Sequence, residues 1–98
     1  MLGLEIGGGI PSQVALSTTS LVVARDAPGR KKIVFCNAGT IDIWLARGQY
    51  AILNAGILLQ ANGGSVVDEP DTRGRMYTGT WAALSASGTP ILSISEDR

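Results

Sequence analysis

The groups in this chain that could do chemistry are eight carboxylates, two tryptophans, two tyrosines, a short basic cluster and two runs of glycine. Paired carboxylates are the machinery of glycoside hydrolysis, and Asp68, Glu69 and Asp71 are the most closely spaced acids. They lie around Pro70, at and just before the polar stretch Glu69–Gly74, where solvated turn carboxylates are the ordinary outcome and calcium is the ion their oxygens would suit. Histidine is absent from all 98 residues. Its absence removes the commonest general base at neutral pH, the usual transition-metal ligand and every histidine-containing triad. The expectation is a protein that is not an enzyme and uses no metal and no cofactor.

The glycine runs Gly7-Gly8-Gly9 and Gly63-Gly64 do not sit between a strand and a helix and lack the Lys-Ser/Thr of a phosphate loop. Arg25, Arg30, Lys31 and Lys32 form the densest charge in the chain, a candidate contact for an acidic partner surface. No aromatic residues alternate with them as a base-stacking platform requires. Formal charge is zero, with eight basic and eight acidic residues, so no global field recruits nucleic acid or an anionic membrane. Trp44, Tyr50, Tyr77 and Trp81 have faces suited to either a sugar or a protein partner.

These residues must be carried by strands. Gly or Pro interrupts nearly every window long enough for a helix, and both oppose helix interiors. Short β-favouring runs alternate with turn residues, giving strands at Gln13–Leu16, Ser20–Ala24, Lys32–Asn37, Ile41–Ala46, Gly56–Gln60, Ser65–Asp68, Gly79–Ser85 and Pro90–Glu96. The fold expected is all-β, about eight short strands in a two-sheet sandwich, jelly-roll-like or immunoglobulin-like. Ala38-Gly39-Thr40 predicts a hairpin between the third and fourth strands, Asn62-Gly63-Gly64 a second one, and Ala86-Ser87-Gly88-Thr89 joins the last pair. Gln49–Ala55 shows no clean period and fits either one helical turn or a crossing loop.

Period-two alternation places Trp44 opposite Ile41, Ile43 and Leu45. If those three face the core, Trp44 faces out and anchors an interface. Cys36, in the run Ile33-Val34-Phe35-Cys36, is expected to be a small buried hydrophobe. Residues 1–12 form a Gly-rich flexible arm ahead of a single domain at 13–98, and Leu2, Leu4 and Ile6 give it apolar hooks for a neighbouring chain. An apolar fraction of 45% with only 16% charged residues points to apolar surface reserved for a partner. Nothing at the N-terminus has the pattern of a signal peptide, and no stretch approaches a membrane span, so synthesis in a cytoplasm is expected.

From Arg30 to Glu96 the chain resembles small accessory proteins of tailed-bacteriophage virions. The residues that carry the likeness are Arg30–Thr40, a basic strand start with an Asn turn; the strand Ile41–Leu45; and the Gly-Ile-Leu-Leu segment in Ala55–Leu59. Gly63-Gly64-Ser65, the aromatic strand Tyr77–Ala83 and Ser87-Gly88-Thr89 before Ile91–Glu96 complete it. The resemblance implies a head-decoration or cement protein on the outside of a capsid, bound to the major capsid protein and often trimeric. It carries over no catalytic residue. A carbohydrate- or host-surface-binding module of a fibre or tail is the rival reading, with the four aromatics as stacking residues.

Overall fold

The computed structural model describes residues 10–98. Leu2, Leu4 and Ile6 lie outside the described residues. Eight strands follow one another: β1 (Ile10–Ala15), β2 (Leu21–Ala24), β3 (Lys32–Asn37), β4 (Ile43–Arg47), β5 (Ile57–Leu59), β6 (Ser65–Asp68), β7 (Trp81–Ser85) and β8 (Ile91–Asp97). They form two antiparallel four-stranded sheets, ordered β1-β8-β3-β6 and β2-β7-β4-β5. The pairing is nested: β1 with β8, β2 with β7, β3 with β6 and β4 with β5. It is the pattern of one long hairpin rolled across two sheets, a jelly roll, which decides between the two sandwich types expected.

The expected hairpins are therefore corrected. β3 and β4 lie in different sheets, as do β5 and β6, and β7 and β8. The turns between them are corners from one sheet to the other, and only β4 and β5 are neighbours both in sequence and in a ladder. The turn chemistry itself holds. Asn62 and Gly63 have φ of 63° and 112°, the left-handed region that Asn and Gly enter most readily. A Cβ on Gly64 would collide with the Gln60 backbone. The boundary of the arm also moves: β1 begins at Ile10, and Pro11 and Ser12 pair with Ser95 and Ile94 of β8.

The inward residues make one core. Ile33 and Phe35 of β3, Ile43 and Leu45 of β4, Leu59 of β5, Trp81 and Ala83 of β7, and Leu92 and Ile94 of β8 pack between the sheets. Their alternation with outward residues is what a two-layer sandwich demands. Asn37 is the polar exception, fully buried at the corner after β3. Its Nδ2 donates to the carbonyls of Ile41 (2.8 Å) and Leu59 (2.9 Å), and its Oδ1 accepts from the Gly39 N–H (2.9 Å). One side chain thus satisfies three backbone groups that the corner strips from the ladder. The same alternation turns Cys36 outward. It is half-buried on the outer side of β3 and is not a core residue.

Candidate binding faces

Sequence reasoning grouped Arg30 with its basic neighbours, but the fold separates them. Arg25 and Lys31 are exposed, while Arg30 is 3% exposed. Its Nε donates to Glu96 Oε2 (2.6 Å), Nη1 to the Gly79 carbonyl (2.8 Å) and Nη2 to the Arg25 carbonyl (2.7 Å). The planar guanidinium fork ties the loops before β3 and β7 to the end of β8, a geometry no ammonium can reproduce. Arg30 is therefore a structural clamp and not a partner contact.

The aromatics are divided as well. Trp81 is 1% exposed, with its ring centroid 5.0 Å from Phe35 and 5.6 Å from Tyr77. It belongs to the core and cannot receive a sugar. Tyr77 is half-buried, its hydroxyl donating to the Thr80 carbonyl (2.6 Å), and the Arg47 guanidinium lies 4.9 Å from its ring centroid. That cation–π contact occupies the ring face a sugar would use. Trp44 is half-buried on the outer side of β4, as its alternation with the buried Ile43 and Leu45 required. Tyr50 is 77% exposed. Tyr77 and Trp81 pack on each other at the core, Trp44 lies on the outer side of its sheet and Tyr50 on the connection after β4, so the four do not form one stacking platform.

The acids fare similarly. Arg47, Asp68, Glu69, Asp71, Arg75, Met76 and Tyr77 line a cavity of about 340 Å³. Asp68 is engaged by Arg47 Nη2 (3.0 Å), and Asp71 by Arg75 Nε (2.8 Å). Among the described residues no group of three or more His, Cys, Asp or Glu is placed to hold a metal. The Arg75 N–H, helped by the Arg73 N–H and the Arg75 guanidinium, holds the Asp71 carboxyl below the ordinary carboxylate value. Such an acid is ionised near neutrality and is the opposite of a general acid, whose pKa must be raised.

The folded pKa lies below the unfolded one, so the contribution of Asp71 to its loop is complete above about 3.9 and is lost as pH falls through the lower folded value. A carbon-detected NMR titration of the Asp71 carboxyl is expected to give a midpoint below about 3.9, with exchange of the Arg73 and Arg75 amides quickening over the same interval. A midpoint at or above the ordinary value would refute the loop geometry.

What remains is the outer face of the β2-β7-β4-β5 sheet. Two cross-strand rows run over it: Leu58, Trp44 and Leu84 on β5, β4 and β7, and Ala46, Ala82 and Val22 on β4, β7 and β2. The connection from β4 to β5 crosses this face. Gly48 N–H donates to the Thr80 carbonyl (2.7 Å) ahead of β7, and Ala51 N–H to Ser20 Oγ (2.8 Å) ahead of β2. Ala51 packs with Ala82, Leu84, Trp44 and Ala46, which is why the outward Ala82 and Leu84 are nevertheless buried. Of the two conformations its sequence allowed, the segment takes the crossing loop.

The loop adds apolar surface of its own. Ile52 is 67% and Leu53 47% exposed beside Tyr50, and Leu58 is 39% exposed at the β5 edge. No charged residue occurs from Gly48 to Gly56 or in either row. Sequence reasoning named Tyr50 and Trp44 but missed Ile52, Leu53 and Leu58. The absence of any period in Tyr50–Leu53 was the available signal, because an apolar segment without a period has no single face to bury.

Compared with family models, with curated proteins and with solved structures, the chain matches none of them.

Proposed function

We propose that this chain is a non-enzymatic structural protein of a phage virion, a decoration protein that docks on the outside of the capsid. The observation that carries the reading is the uncharged apolar outer face of the β2-β7-β4-β5 sheet with the crossing loop above it. Contiguous apolar surface of this kind marks a protein contact, and the depletion of charge is the composition of an interface centre. The jelly roll supplies a rigid platform, and the resemblance in Arg30–Glu96 supplies the setting.

The dimensions favour a lattice over a single tight partner. Four strands about 4.8 Å apart and three to five residues long at about 3.3 Å each span roughly 20 Å by 10 to 17 Å beneath the crossing loop. That is well under the ~800 Å² per partner of a standard interface. One such contact is weak, and many on a symmetric shell act together through avidity. The prime contacts are Tyr50, Ile52, Leu53 and Leu58, with Trp44 supporting them from beneath.

The test is co-sedimentation of the purified protein with tailed-phage heads. Ile52→Asp with Leu53→Asp is expected to weaken binding by about 30-fold or more, the effect of losing a hot spot of ~2 kcal/mol. The variant's melting temperature should stay within a few degrees of wild type, since both side chains are exposed. Undiminished binding, or no binding by the wild type, would sink the proposal. Glycan-array binding abolished by Tyr50→Ala would install the carbohydrate reading in its place.

A further inference from the structure

The other sheet also has an outward face, and its residues have no part in the docking surface described above. Two full rows cross it from β1 to β6: Pro11, Ser95, Val34 and Val67, then Gln13, Ser93, Cys36 and Ser65. Ala15 and Ile91 begin a third. Val67 is half-exposed, while Val34, Cys36 and Ile91 are half-buried. The side chains are short, so another sheet can approach closely.

Its strand charges are one opposite pair. Lys32 and Asp97 are register partners on β3 and β8, on the same outward side as Val34 and Ser95. The ion pairs among the described residues are Arg30–Glu96, Arg47–Asp68, Arg75–Asp71 and Arg98–Glu96, which leave both unused.

We propose that this face is a homodimer interface, occupied by a second copy of the chain packed sheet to sheet. The order β1-β8-β3-β6 has its midpoint between β8 and β3. A half-turn about an axis running along the strands at that midpoint lays β8 on the partner's β3 and β1 on the partner's β6. Lys32 then faces the partner's Asp97, and Asp97 the partner's Lys32. The first row sets Val67 against the partner's Pro11, and the second sets Gln13 against the partner's Ser65. The face carries its own complement in charge, and in polarity on its outer strands, as an isologous contact requires, while on the central strands Val34 meets the partner's Ser95 and Cys36 the partner's Ser93. Sheets packed this way lie about 10 Å apart and about 30° from parallel, a gap that the long Lys32 side chain can span.

The face measures roughly 20 Å by 23 Å from strand spacing and the length of β8, smaller than a standard interface, so the dimer dissociates on dilution. Sedimentation equilibrium of the full chain over a concentration series is the test. Wild type is expected to pass from monomer to dimer. Lys32→Glu, which opposes two acids, is expected to raise the dissociation constant at least tenfold, as is Asp97→Lys. The double variant K32E/D97K restores opposite charges and is expected to recover most of the affinity. Circular dichroism of each variant separates lost contact from lost fold.

Cys36 lies beside the axis, so a short bismaleimide should join it to the partner's Cys36 in wild type and in the double variant, and far more slowly in Lys32→Glu at the same concentration. A strict monomer at every concentration, a trimer such as the resemblance implies, or a double variant as weak as the singles would each overturn the proposal. So would a Lys32→Glu variant that loses head binding while its mass is unchanged, because the occupant would then be the shell. The Ile52→Asp, Leu53→Asp variant should dimerise like wild type, so this interface and the docking face fail or stand separately.

Discussion

Arg30→Met is expected to cost the domain about 3 kcal/mol, because it removes the buried partner of Glu96 and leaves that carboxylate only its 3.3 Å contact with the exposed Arg98. The side chain of Arg30 is fully buried and that of Glu96 is 15% exposed, which places the cost at the lower end of the range for buried pairs. Loss of the fork also leaves the part-buried Arg25 and Gly79 carbonyls without their donor, and an acceptor left unpaired away from water adds to the penalty. For a domain of this size the melting temperature should fall by roughly 12–24 °C.

Arg30→Lys separates charge from geometry. It keeps the positive charge but offers a point ammonium where three acceptors in different directions need a planar fork. An intermediate loss is expected, with urea unfolding of the three proteins as the measurement. A penalty below about 1 kcal/mol for the methionine variant, the worth of a surface pair, would show that Arg30 is no clamp. Total stability of small domains is about 5–15 kcal/mol, so the substitution consumes much of it.

Arg30 also shows where sequence reading runs out. Arg30, Lys31 and Lys32 are consecutive and chemically alike, yet the first is inside and the other two are exposed. The difference is set by Glu96 and Gly79, which are far away in sequence and arrive at that corner only through the jelly-roll pairing. Strand existence was legible because alternation is local: Ile33, Phe35, Ile43 and Leu45 declare an inner face whatever they pair with. Strand pairing was not, since a short Gly-containing turn serves equally well as a hairpin and as a corner between sheets. Ala38-Gly39-Thr40 is a corner, and the sign of it is Asn37, whose amide satisfies the backbone groups that a hairpin ladder would have paired.

The candidate site divides the same way. Trp44 was legible as outward because its neighbours in β4 are apolar on the other side. Its partial burial was not, because that depends on a loop that returns across β7 and meets Ser20. Cys36 was misjudged for a related reason: an apolar run suggests burial, but only alternate members of such a run can face a core between two sheets.

The second large effect is expected at Trp81. Trp81→Ala should cost about 3–5 kcal/mol, the range for truncating a large buried aromatic. Phe35 and Tyr77 both pack on its ring, and these aromatic side chains cannot readily collapse into the cavity left behind. Urea unfolding followed by circular dichroism should show the midpoint falling with little change in slope. If Trp81 were a sugar-stacking residue, its truncation would abolish ligand binding and leave stability near that of wild type. A stable Trp81→Ala protein would therefore overturn both the core assignment and the argument that the aromatics are dispersed. The exposed loop residues provide the opposite signature. Ile52→Asp with Leu53→Asp should lower docking at nearly constant stability, whereas Trp81→Ala should lower docking only as far as the folded fraction falls. Plotting head binding against unfolding free energy for the two variants separates a residue that builds the platform from residues that stand on it.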